Sequence, residues 1–214
     1  MITTFVVLAV LAVGCGLLWL HSRAERRRIF ARRLAAAAKV GLEPAPVEPW
    51  LVETAARSFG ARGEAEHLVA GPHGVQETLV RAFDYTYDTT STATAAKCHV
   101  ITYELPVALP PIAVLRKNPL LPGQEFESEQ FNKQFSVDCA DSRYASAIIN
   151  PQLMLWLVDD YRSLQWRIEG RLLIAWGVGY WTYPGLADVL YAFDGIVQRI
   201  PPFVLTDYGK PTTD

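Results

Sequence analysis

Ile2 to Leu20 reads ITTFVVLAVLAVGCGLLWL, a run without one charged side chain. This run restricts the fold more than any other feature. At about 1.5 Å of rise per residue, a helix of that length just crosses a hydrocarbon core roughly 30 Å thick. Trp19 stands where an indole would lie among headgroups, and HSRAERRRIFARR follows over His21 to Arg33. A cleaved secretory signal would carry its basic residues ahead of a shorter apolar core and end in a small-residue cleavage site. Here the basic residues follow the run instead. By the positive-inside rule, Arg23, Arg26, Arg27, Arg28, Arg32 and Arg33 stay in the cytoplasm as a membrane flank, while the short N-terminus lies outside. The expectation is a transmembrane anchor over residues 1–22 in a single-pass protein of the cell membrane, with its soluble domain cytoplasmic. An exported, anchored domain is the alternative. Ala12-Val13-Gly14-Cys15 only loosely matches a lipoprotein lipobox, because no Leu stands three positions before Cys15 and the apolar run continues to Leu20. Gly14, Cys15 and Gly16 instead form a small-residue helix surface.

The formal charge of -2 conceals an asymmetry. Up to Lys39, six Arg and one Lys face the single acid Glu25, a net +6, and the rest of the chain carries -8. Nucleic-acid binders place positive charge on their folded reading surface, so an acidic domain on a basic stalk disfavours that class. The expected partners are the lipid bilayer and other membrane or cytoplasmic proteins. Ala and Arg dominate residues 23–39 and favour a helix that continues out of the membrane. Gly41 and the prolines at 44, 46 and 49 end it. Residues 23–49 are therefore expected to be a basic juxtamembrane helix and Pro-rich spacer, 50–205 one soluble domain, and 206–214 a loose tail.

Within the domain, Val52, Ala55, Ala56 and Phe59 share one helical face, and Gly60 terminates it. HLVAG and QETLVRAFDYTYD flank Gly71-Pro72-His73-Gly74 and predict a hairpin. ATAAKCHVITYEL adds a third strand to the meander. Five prolines between Leu105 and Pro122 predict a broken, irregular crossing with one short strand at Ile112 to Leu115. Asp141 is positioned to cap a helix through Tyr144, Ala147 and Ile148, and Asn150-Pro151 starts another that reaches Tyr161. LQWRIEGRLLIAW alternates and then meets Glu169-Gly170, which predicts a second hairpin. From Pro184 the apolar residues recur at helical spacing until Pro201-Pro202. The fold class expected is α+β: an N-terminal transmembrane helix, then a mostly antiparallel sheet covered by helices from the second half of the domain.

The stretch ESEQFNKQFSVDCADSRYASAIINPQLMLWL, with RIEGRLLIAW after it and FDYTY before it, resembles a group of bacterial membrane-anchored proteins whose soluble domain has no assigned function. The resemblance spans roughly residues 65–202 and implies an anchored domain. It transfers no catalytic or ligand residue.

Chemical motifs are sparse. His21, His67, His73 and His99 follow no metal spacing, and HExxH is absent. Cys98 and His99 are adjacent on a strand and so point to opposite faces, which argues against a dyad. Cys98 and Cys139 would suit a disulfide in an exported domain and remain thiols in the cytoplasm. A metal site combining them with Asp138 or Asp141 lacks paired ligand spacing. The carboxylate pairs Asp159-Asp160, Asp84 with Asp88, and Asp138 with Asp141 read as solvated ends and turns. GVGYW at 177–181 lacks the third glycine of a dinucleotide loop. No catalytic, cofactor or metal residue is nominated. Trp176, Tyr180, Trp181 and Tyr183 form the candidate interaction surface, since large amphipathic rings anchor interfaces when they do not pack in a core. The reading that follows is a membrane-tethered interaction or scaffold domain, with an anchored enzyme of unknown reaction as runner-up.

Overall fold

A computed structural model describes residues 21, 25, 27–88, 95–118 and 123–210. The expected anchor, apart from His21, and the flank residues Trp19, Arg23 and Arg26 lie outside the described residues. Among the described residues, no helix is long and apolar enough to cross a membrane.

A helix over 27–38 (α1) leads into β1 (Glu43–Pro44) and α2 (Pro49–Phe59). Then come β2 (Gly63–His73), β3 (Thr78–Asp88), β4 (Ala95–Arg116), α3 (Glu129–Gln134) and β5 (Phe135–Asp138). The chain continues as α4 (Ser142–Ile148), α5 (Pro151–Asp160), β6 (Trp166–Val178), α6 (Tyr183–Arg199) and α7 (Pro202–Asp207). Every strand pair is antiparallel. The sheet runs β1-β2-β3-β4, with β5 beside the far half of β4 and β6 along its other edge. The α+β class with a mostly antiparallel sheet is therefore as expected.

Strand alternation divides the core between two faces. On one face Val80, Ala82, Ile101, Leu173 and Ala175 pack with Leu153, Leu157, Leu186, Leu190, Phe193 and Ile196 from α5 and α6. On the other, Leu51 and Ala55 of α2 cover Phe83, Tyr85, Val100 and Ile174. The helix starts follow their local chemistry. Asp141 accepts from Arg143 N and Tyr144 N, Asn150 from Leu153 N, and Thr182 from Gly185 N, each satisfying amide groups that a first turn leaves unpaired.

Several expectations fail for tertiary reasons. β4 does not break at its prolines, and it runs for 22 residues. Pro106 lies in one register shift against β6, between Glu104 and Leu109, and Pro110 and Pro111 lie in the next, between Leu109 and Ile112. Pairing with β3 reaches only Tyr103, and pairing with β5 starts at Ala113. The prolines thus occupy bulged, one-sided stretches where a missing N–H costs least. The hairpin expected at Glu169-Gly170 is a single 13-residue strand, β6, in which Gly170 takes φ +59° at the bulge opposite Leu109. The tail is not loose at its start. Lys210 N donates to Ala108 O at 2.9 Å, filling part of the gap between β3 and β5, and Tyr208 packs on Tyr144 with 5.0 Å between ring centroids.

The spacer also differs. Ala37 and Leu42 are fully buried in the main core, and Glu43–Pro44 pairs with β2 at Ala70 and Val69. The domain therefore includes α1 and does not begin at residue 50.

Candidate functional site

α1 lies on the helical face of the sheet, where Phe30, Leu34 and Ala37 recur at helical spacing and Arg33 shares their stripe. Its docking point is ionic. Arg33 Nη1 and Nη2 donate to Asp84 Oδ2 and Oδ1 at 2.8 and 2.7 Å, a two-pronged pair in which the side chains are 8% and 3% exposed. Arg33 Nε has no hydrogen-bond partner among the described residues; the guanidinium rests on the Trp181 ring, 4.1 Å from its centroid.

Asp84 receives a second neighbour from a bulge in β2. His67 and Leu68 together face the single residue Phe83, and His67 adopts φ +56°. That turn brings its Nδ1 to 3.0 Å from Asp84 Oδ2 and lays its ring 4.2 Å from that of Phe30. His99 stands opposite Asp84 in the next strand. Its Nδ1 donates to Gly179 O at 3.2 Å, which leaves Nε2 as the acceptor nitrogen. Burial lowers the His99 pKa, against the raising effects of the Gly179 carbonyl and Asp84, so the ring is held neutral. It lies directly over Gly177, where an added Cβ would stand 2.6 Å from His99 Cε1.

His99 also borders a groove of about 670 Å³ whose walls include Tyr161, Leu164, Trp176, Asp188 and Tyr191. The groove offers a neutral imidazole, apolar wall and exposed carboxylates. Among the described residues, no three His, Cys, Asp or Glu side chains converge to hold a metal ion. The Cys98 thiol lies on the opposite face of β4 with Val100, and burial pushes it up to about 12, which removes the thiolate a nucleophile requires. Cys98 and Cys139 are free and sit at opposite ends of β4, since Cys139 follows the residue paired with Ala113. At about 3.3 Å per strand residue they are separated along β4 by at most about 45 Å, and even with its two bulges this far exceeds disulfide reach.

A second His–Asp contact closes the opposite end of the sheet. His73 Nε2 lies 3.0 Å from Asp194 Oδ2 of α6, with the Tyr103 ring beside it at 6.4 Å.

Of the four aromatic residues expected to form one surface, Trp176, Tyr180 and Trp181 take different places. Trp181 is 1% exposed in the main core and supports Arg33. Trp176 is half-buried on the other face, edge-on to Phe59 at 5.9 Å. Tyr180 is 43% exposed, and its hydroxyl accepts from Lys97 Nζ at 2.9 Å. Tyr183 is the first residue of α6. Of the expected membrane-flank arginines, Arg27, Arg28 and Arg32 are exposed, whereas Arg33 is consumed by Asp84. Sequence reasoning missed Asp84, His67 and the special place of Arg33. The available signal was the stripe of Phe30, Leu34 and Ala37 on a helix assigned only to the membrane flank.

No family model matches the chain, and no curated protein matches it. Among solved structures it is similar to the crystal structure of the mycobacterial trehalose monomycolate transport factor A, TtfA, with a TM-score of 0.58 at 13% identity. The likeness covers 87% of this chain and 99% of that one. At that identity the two share a fold.

Proposed function

We propose that this chain is a single-pass membrane protein whose cytoplasmic domain is a non-enzymatic interaction module serving a membrane-associated transport assembly. The observation that carries the proposal is the burial of Arg33 against Asp84. It makes the helix that follows the proposed anchor a structural part of the domain. A freely tethered enzyme has no need of such a joint, whereas a scaffold must hold its surfaces at a set orientation to the bilayer. The charge-free run at Ile2 to Leu20 and the arginines after it support the anchor and its orientation. The shared fold with a factor named for transport supports the process, and the resemblance to membrane-anchored bacterial proteins fits the same placement.

The runner-up, an anchored enzyme, draws on the groove beside His99. Two measurements separate the readings. In intact cells a probe fused after Asp214 should report the cytoplasm, and a periplasmic or extracellular report overturns the orientation. In cells deleted for the chain, His99→Asn should restore function as the wild type does, while Asp84→Ala should not. Failure of His99→Asn, in a protein that remains folded and abundant, overturns the non-enzymatic reading.

A further inference from the structure

We infer that the sheet end bearing Lys97, Val178 and Tyr180 is a lipid-facing edge that lies against anionic headgroups beside α1. The inference rests on the anchored reading above. α1 has a defined direction across the sheet. Its C-terminal side reaches Leu42 near Gly71, Arg33 meets Asp84 farther along, and Phe30 meets His67. The first described turn, Arg27 and Arg28, therefore heads toward the sheet end formed by Gly63, Asp88, Ala95 and Val178, away from the turn at 74–77.

Chain length brings this end to the membrane. Leu20 and Arg27 are seven residues apart, a reach of at most about 25 Å even fully extended. The docked helix transmits that limit to the sheet. What the sheet shows there suits an interface of apolar and charged groups: Val178 is 96% exposed, Tyr180 43% and Ile29 48%. Lys97 lies over the Tyr180 ring at 5.3 Å. Arg27, Arg28 and Arg32 are exposed and make no ion pair among the described residues. Glu64, Glu66 and Asp88 share this end of the sheet, on the side of β2 and β3. Lys97, Val178 and Tyr180 lie on the side of β4 and β6, and α1, which docks over β2 and β3 through His67 and Asp84, brings Arg27, Arg28 and Arg32 toward the same end. Apolar tips among cations fit an anionic bilayer surface, where basic side chains are attracted and aromatic rings favour the headgroup level.

The test uses the full chain, with Cys15 and Cys139 replaced by Ser and Cys98 left buried, reconstituted into protein-free vesicles. An environment-sensitive fluorophore is placed at Val178→Cys or, at the far end, Val75→Cys, against lipids carrying a headgroup-level quencher. The Val178 label should be quenched at least twofold more than the Val75 label. The difference should grow when about a third of the phosphatidylcholine is replaced by phosphatidylglycerol, and Arg27→Gln, Arg28→Gln, Arg32→Gln and Lys97→Gln together should remove that growth. A Val178 label no more quenched than the Val75 label, or a difference insensitive to anionic lipid, overturns the lipid-facing edge while the chain still floats with the vesicles. A chain that fails to float with either lipid overturns the anchored reading itself.

Discussion

Asp84 and Asp194 each sit 3.0 Å from a histidine, at opposite ends of the sheet, yet their surroundings differ in burial and in supply of charge. The Asp84 side chain is 3% exposed and has Arg33 against both carboxylate oxygens; the Asp194 side chain is 35% exposed and has the neighbouring His73 and Tyr103 side chains as partners. A carboxylate can lie at the surface without a guanidinium because water supplies the rest. Burial removes that supply, and an unpaired charge there costs several kcal/mol. The Asp84 end is thus an all-or-none joint between α1 and the sheet, and the Asp194 end is a surface clasp between a hairpin and α6.

The largest effect should come from removing Arg33. Arg33→Ala should destabilise the domain by about 3–5 kcal/mol, because it leaves the buried Asp84 carboxylate with only the His67 ring beside it. Urea unfolding followed by tryptophan fluorescence measures this. Asp84→Ala should cost a similar amount, and the double substitution clearly less than the sum of the two. Additive costs would mean that the pair does not couple α1 to the sheet.

Gly177→Val should come next, at about 1–3 kcal/mol of overpacking, since its side chain would collide with the His99 ring. The collision should also break the bond from His99 to Gly179. A Gly177→Val protein as stable as the wild type would contradict the close approach.

His99 provides a pH test of smaller size. Burial lowers its pKa below the ordinary 6.5, so folding favours the neutral ring. The unfolded chain then binds the extra proton first, and stability is complete above about pH 6.5 and declines as pH falls toward the folded pKa. His99→Asn should flatten that acid limb. In Arg33→Ala the His99 pKa should rise, because Asp84 favours the imidazolium and Arg33 opposes it. Titration of the imidazole by NMR reads both effects, and an unchanged pKa in Arg33→Ala would show that the joint does not reach β4.

The smallest effect belongs to the other pair. Asp194→Asn should cost less than about 1 kcal/mol in urea unfolding. A loss as large as that of Arg33→Ala would erase the contrast between the two ends.

Local chemistry made much of the fold legible. Asp141, Asn150 and Pro151 mark helix starts because capping acts within three residues, and the apolar recurrence from Leu186 to Ile200 marks α6 because only one face of it meets the core. The β2–β3–β4 meander was likewise visible from its alternation, although its first turn falls at residues 74–77 rather than at 71–74. The prolines of β4 and Gly170 of β6 misled because each is a break in isolation. Paired across the sheet, they become matching bulges.

The amino-acid sequence alone determined that an uncharged run precedes a basic flank, that the ordered part is α+β, and where most helices begin, because these depend on composition and on neighbours a few residues apart. Only the tertiary structure decided which arginine is structural. Six arginines are chemically equal in HSRAERRRIFARR, and Arg33 is distinguished by a carboxylate 51 residues away that local reasoning leaves in solvent. The same holds for Trp181, an interface candidate by residue type but a buried support for Arg33 in the fold. Partners distant in sequence carry no local signal, and the burial that makes them matter exists only once the sheet has brought them together.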